Sequence, residues 1–210
     1  MPIPQICARF GQKKSEIQNR LNEFKQIFLE GNDKKLFAEL AFCLCTPQSR
    51  AVVCDKAIKN LGKTGMLFSG NAKQIENNLD GVRFNSNKAK WIVEAREKYL
   101  QNLSKTLKSF KTSVQAREWI VENIKGIGMK EAGHYLRNIG FEGEHLAILD
   151  RHILKHLVEE KIIPEVPKSL TPKIYLEIEK KMKEFSQRAG MSLYELDLFW
   201  WSEESGIVLK

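Results

Sequence analysis

An all-α protein is predicted, and three observations carry the prediction. Apolar residues recur at three- and four-residue intervals along most of the chain. No stretch alternates apolar and polar residues as a half-buried strand would. The periodic stretches are separated by short clusters of Gly, Asn, Asp and Pro, which stop one helix and cap the next. The chain has 210 residues, enough for one substantial domain or two small ones sharing a cleft.

The elements follow in order. Ser15–Glu30 carries Ile17, Leu21, Phe24, Ile27 and Phe28 on one helical face, and Gly31-Asn32-Asp33 then supplies a stop and a new N-cap. Lys35–Cys45 repeats Leu36, Leu40 and Leu44 every four residues and ends at Thr46-Pro47, because proline disfavours helix in the residue before it. Gln48–Leu61 reads as a helix closed by Gly62, and Asn71–Leu79 as a short one. A polar turn over Asn85–Asn87 precedes a long amphipathic helix, Lys88–Leu103, with Trp91, Ile92, Ala95 and Tyr99 on one side. Helices are also predicted over Ser113–Ile124, Lys130–Ile139, Asp150–Lys161, Pro172–Ala189 and Ser192–Ser205.

The composition is that of a folded protein, with 42% hydrophobic and 29% charged residues. A net charge of +8 favours polyanionic partners, since each phosphate contact releases counterions. No apolar run approaches the ~20 residues that span a bilayer, and Met1–Phe10 lacks the apolar core of a signal peptide. A cytoplasmic protein without a membrane partner is expected. Cys7, Cys43, Cys45 and Cys54 form no C-x-x-C pair and read as small apolar side chains, with no disulfide framework, metal site or cofactor expected.

The most informative segment is Ile124-Lys125-Gly126-Ile127-Gly128-Met129-Lys130, between two helical patterns. Two glycines two residues apart permit a hairpin closed to other residues. The bared amides of Gly126 and Gly128, with the helix N-terminus that follows, can point at one phosphate. Ile127 between them reads as a core plug, and Ala132 and Gly133 permit close helix packing. Without more, a G-x-G at this place is better read as a plain helix-to-helix turn. Asp150 follows Lys130 by 20 residues, at the start of another helix. Lys130 is a candidate nucleophile or simply an exposed lysine, and Asp150 a candidate catalytic carboxylate, an N-cap, or both.

This segment resembles the helix–hairpin–helix of the DNA glycosylase superfamily named for that hairpin, a Gly/Pro-rich loop and an aspartate. The match Ala147-Ile148-Leu149-Asp150-Arg151-His152 departs mildly, with Ile148-Leu149 in place of the usual Pro/Val. Phe42-Cys43-Leu44-Cys45-Thr46-Pro47-Gln48 resembles the early helix whose polar end is pushed into the duplex. Arg83-Phe84-Asn85-Ser86-Asn87-Lys88-Ala89 resembles the family's turn ahead of a long helix. With no cysteine after Cys54, the iron–sulfur cluster of many relatives is absent. The segments Ile124–Lys130, Asp150–Leu154, Glu195–Leu198 and the ending Val208-Leu209-Lys210 are most similar to the short 8-oxoguanine DNA glycosylases of archaea and some bacteria.

The resemblance implies two helical lobes flanking a cleft: residues 34–130 as one, and 1–33 plus 131–210 as the other. It implies a glycosylase and abasic-site lyase acting on double-stranded DNA that contains 8-oxoguanine, in the cytoplasm at the nucleoid, as a monomer. In that class lysine at the place of Lys130 is the nucleophile, with Asp150 beside it. The resemblance also implies that Lys210 takes part in telling 8-oxoguanine from guanine. Trp201 aligns with the base-contacting tryptophan, and Phe84 and Asp197 are further candidates for base recognition. Gly126, Gly128, Gln48, Arg50 and Lys88 are the candidates for DNA contact, Gln48 by filling the gap left by the flipped base or by touching the orphaned partner base. The histidines read as structural. Two alternatives stay open: a related glycosylase/lyase for oxidised pyrimidines, and a non-catalytic hairpin module that only binds DNA.

Overall fold

The computed structural model describes residues 3–143 and 145–210. Among them there are helices, turns and bends and no strand, as the periodicity predicted. The chain divides into two compact units. One, the middle unit, is Lys25–Gly143; the other, the terminal unit, takes the chain up to Phe24 and beyond Gly143. These bounds differ from the predicted 34–130 and 1–33 plus 131–210. The first helix, α1 (Ile3–Glu30), runs from one unit into the other. It extends a dozen residues earlier than its apolar pattern suggested, since Pro4 stands in its first turn, where a missing N–H costs nothing.

In the middle unit, α2 (Asp33–Cys45) lies at the centre. Asn32 caps it by accepting from the amides of Lys34 and Lys35 at 3.0 and 3.2 Å. Its second half, Leu40–Cys45, is buried on every side. Around it pack α3 (Ala51–Lys63), α6 (Asn85–Tyr99), α7 (Leu103–Lys108) and α9 (Met129–Asn138). Leu40 has no exposed surface, so truncating it to Ala would cost about 2–5 kcal/mol. The short α4 (Met66–Ser69) and α5 (Ala72–Glu76) connect α3 to α6, and α8 (Ser113–Asn123) packs on α9. That packing explains the shifted boundary: α9 stays with α8 and α2, so the hairpin's second helix belongs to the middle unit. Phe28 against Phe141, centroids 5.1 Å apart, holds the C-terminal turns of α1 there as well.

The terminal unit is built on α12 (Leu193–Ser205), against which α10 (Arg151–Glu159) and α11 (Pro172–Arg188) pack. A capping box between Ser192 and Glu195 starts α12, and Gly206 at φ +78° ends it. The N-terminal part of α1 joins through Phe10 edge-on to Phe199, Arg9 to Glu203 at 2.7 Å, and the Lys13 ammonium donating to the Ser202 carbonyl at 3.1 Å. The four cysteines are free thiols. Burial pushes Cys45 up to about 12 and Cys54 up to about 11, which keeps both protonated and inert, as small apolar side chains.

Candidate active site

In the middle unit the hairpin joins α8 to α9. Gly126 has φ +89°, in the left-handed region, and a Cβ there would lie 2.3 Å from Cε3 of Trp91. The glycine is therefore required twice, by its backbone angle and by the indole laid against it from α6. Ile127 is buried, as a plug, and its amide donates back to the Ile124 carbonyl at 3.3 Å. Gly128 is extended (φ −102°, ψ −173°) and is the N-cap of α9. It has no side chain to cap the helix, so the first-turn amides of α9 are left for another acceptor.

Lys130 is the second residue of α9. Its side chain is 26% exposed, and Nζ lies 2.8 Å from Oε1 of Glu131. Glu131 is well placed for the positive end of the helix dipole, whereas a lysine is not. The pair offsets part of that cost while keeping the amine at the mouth of the hairpin.

Asp150 belongs to the terminal unit, where it is the N-cap of α10. Oδ1 accepts from the amides of His152 at 2.8 Å and Ile153 at 2.9 Å, so Oδ2 takes no part in the cap. The segment leading to it, Leu146–Leu149, is buried and has no regular structure. Its backbone is held by α11. The Tyr175 hydroxyl donates to the Ala147 carbonyl at 2.7 Å and accepts from the Leu149 amide at 3.3 Å, and Glu179 accepts from the Ala147 amide at 2.8 Å. Sequence reasoning missed Tyr175 and Glu179. Their only signal was a four-residue spacing on one face of α11.

The other candidates fall on both units. On α12, Trp200 is fully buried and stacks on His156, centroids 5.3 Å apart, whereas Trp201 is half-buried. Asp197 is buried one turn before it, and the chain-terminal Lys210 is half-buried. The histidines lie in ring contacts or ion pairs: His134 with Phe42, His145 with Tyr194, and His152 with Glu204. Phe84 is on the middle unit. It is 55% exposed, at φ +57°, and precedes α6, with the Arg83 guanidinium 5.5 Å from its ring.

Gln48 and Arg50 are exposed in the turn between α2 and α3, Gln48 with φ +57°. Lys88 corrects the sequence reading, which gave it a DNA contact. Only 1% exposed, it turns inward from the first turns of α6, and Nζ donates to the carbonyls of Cys45 and Pro47, both at 2.7 Å, and to the Ser49 hydroxyl at 3.1 Å. All three of its protons are thereby used within the protein. Burial lowers its pKa below the usual lysine value, against the opposing pull of Cys45, Cys54 and Glu131, while Lys130 adds to the lowering.

The middle unit thus carries a glycine hairpin with a lysine at its exit, the terminal unit carries a helix-capping aspartate, and comparison with known proteins gives the family. The family model described as 8-oxoguanine DNA glycosylase matches residues 17–191, and the chain belongs to that family. The 8-oxoguanine DNA glycosylase/AP lyase of Fusobacterium nucleatum is 45% identical, over 98% of this chain and 96% of that one. The crystal structure of the Thermotoga maritima 8-oxoguanine DNA glycosylase matches with a TM-score of 0.87 and 34% identity, covering 99% of this chain and 100% of that one. The Methanocaldococcus jannaschii 8-oxoguanine glycosylase/lyase, in complex with a 15mer DNA containing 8-oxoguanine, matches with a TM-score of 0.89 and 35% identity, over 98% and 100% of the two chains.

Proposed function

We infer that this protein is an 8-oxoguanine DNA glycosylase and abasic-site lyase of base-excision repair, acting in the cytoplasm on duplex DNA as a monomer. The observation that carries the reading is a primary amine, Lys130, at the start of a helix entered through a glycine hairpin, in a chain that matches a lesion-bound relative along nearly its whole length. The damaged nucleotide is rotated out of the stack, because its glycosidic bond is inaccessible inside it. The amides around Gly126 and Gly128 take a backbone phosphate. Lys130 gives up a proton, its nitrogen bonds to the sugar C1′, and the bond from C1′ to the base breaks, the base leaving with the bonding pair and taking up a proton.

Opening of the sugar ring then gives an imine between Lys130 and C1′. The imine acidifies the C2′ proton. Its loss expels the 3′ phosphate, which cleaves the strand on the 3′ side, and hydrolysis of the imine returns the amine. Asp150, with one oxygen outside its cap, acts on the same nucleotide by stabilising positive charge on the sugar. Trp201, Asp197 and Lys210 receive the flipped purine, Phe84 stacks on a base, and Gln48 and Arg50 contact the opened duplex. Membership of the 8-oxoguanine family favours this substrate over oxidised pyrimidines.

The test is borohydride trapping on an 8-oxoguanine duplex. Wild-type protein should give a covalent complex and a nicked strand. Lys130→Gln should give neither, because an amide nitrogen forms no imine, yet should bind the duplex, since the phosphate is held by backbone amides. Nicking by Lys130→Gln at the wild-type rate would refute the assignment of the nucleophile.

A further inference from the structure

Among the described residues, three that are not glycine have positive φ: Gln48, Phe84 and Lys161. Two of these, both at φ +57°, sit in turns that are hydrogen-bonded to each other. The Ser49 hydroxyl oxygen accepts from the Arg83 amide at 2.9 Å and from Lys88 Nζ at 3.1 Å. One hydroxyl therefore joins the residue after Gln48 to the residue before Phe84. Non-glycine residues in the left-handed region are strained and persist only where the surroundings over-determine them. Here the surroundings are the ammonium of Lys88, which bonds to the carbonyls on either side of Thr46 and to Ser49. Both strained residues present exposed side chains, and Phe84 is among the largest exposed apolar groups of the molecule.

A buried ammonium is an expensive way to hold a loop. Taking it out of water opposes folding, and an apolar side chain of equal volume is often as good or better for stability. An apolar side chain would leave three acceptors without this donor, the buried Cys45 carbonyl among them, and would fix none of them in direction.

We propose that Lys88 is a positioning residue, which through the Cys45 and Pro47 carbonyls and the Ser49 hydroxyl locks two turns together so that Gln48 and Phe84 stand rigidly outward and hold the DNA duplex open at the lesion. The proposal rests on the glycosylase reading. It separates two demands of the reaction: opening a base pair needs the lock, whereas imine chemistry at Lys130 does not.

Lys88→Met, similar in length and without donors, is the first test, in single-turnover assays with two substrates. Excision of 8-oxoguanine from a duplex should fall by about tenfold or more, while cleavage of a preformed abasic site in single-stranded DNA should change by less than about twofold. The fluorescence rise of a 2-aminopurine placed next to the lesion, which reports unstacking on binding, should shrink in parallel. Ser49→Ala, which removes only the shared acceptor, should act in the same direction more weakly, and it decides the matter if Lys88→Met does not fold. Equal losses on both substrates, or wild-type unstacking and excision in Ser49→Ala, would overturn the lock. Wild-type protein inert on 8-oxoguanine duplexes would overturn the glycosylase reading itself.

Discussion

Replacing Gly126 by alanine adds a single methyl group where the structure has no room for it. The new carbon would lie 2.3, 2.7 and 2.8 Å from Cε3, Cζ3 and Cδ2 of Trp91, against the ~3.5–4.0 Å at which carbon atoms rest. The φ of +89° adds a backbone penalty of about 1–2 kcal/mol for any residue with a Cβ. Forcing the indole aside adds about 1–3 kcal/mol of overpacking. The sum, about 2–5 kcal/mol, is a large share of the ~5–15 kcal/mol that holds a domain together. For a chain of this size it corresponds to a fall in Tm of roughly 4–20 °C. Thermal unfolding followed by circular dichroism measures the loss, and a double-mutant cycle with Trp91→Ala divides it. Without the ring only the backbone part remains, so Gly126→Ala should cost about 1–2 kcal/mol in that background. A Tm for Gly126→Ala equal to wild type, or the same loss with and without the ring, would refute the account of the hairpin.

Two further outcomes follow from the terminal unit. Asp150→Asn should slow base release sharply with little change in Tm, because asparagine caps a helix about as well as aspartate, whereas Asp150→Ala should also lose about 1 kcal/mol of stability. Equal rates for wild type and Asp150→Asn would leave the residue a cap and nothing more. Deletion of Lys210 should lower excision of 8-oxoguanine far more than it lowers affinity for undamaged duplex, with unfolding little altered, because the residue is half-buried and outside the apolar core. Equal excision by the full-length and truncated chains would remove Lys210 from base recognition.

The helices, the hairpin and the cap were legible in the sequence because each rests on local chemistry. The four-residue leucine repeat of α2 declares a helix, Gly126 and Gly128 declare a turn, and Asp150 heads an apolar-periodic segment. What could not be read depends on contacts distant in sequence. Lys88 looked like one more basic residue in a polar turn, but Asn85–Asn87 is itself the first turn of α6, and this rotates Lys88 inward to meet carbonyls some forty residues earlier. Trp91 was expected on an amphipathic face, yet nothing local says that a glycine hairpin rests on it. The bounds of the compact units differ from the expected ones for the same reason: Lys130 looks like an end when the chain is read in order, whereas α9 packs on α2 and α8 and stays with what came before.

The tether formed by Tyr175 and Glu179 has a consequence for how the terminal unit breathes. The amides of Ala147 and Leu149 lie outside any helix or strand, where backbone N–H groups usually trade hydrogen for deuterium quickly. Here both are buried and bonded to side chains of α11. Their exchange should therefore be gated by the detachment of that helix rather than by fluctuation of the segment itself. A stretch that reads as a loop thus inherits the lifetime of a helix, and the carboxylate at its end is kept in register by two residues that have no chemistry of their own to perform.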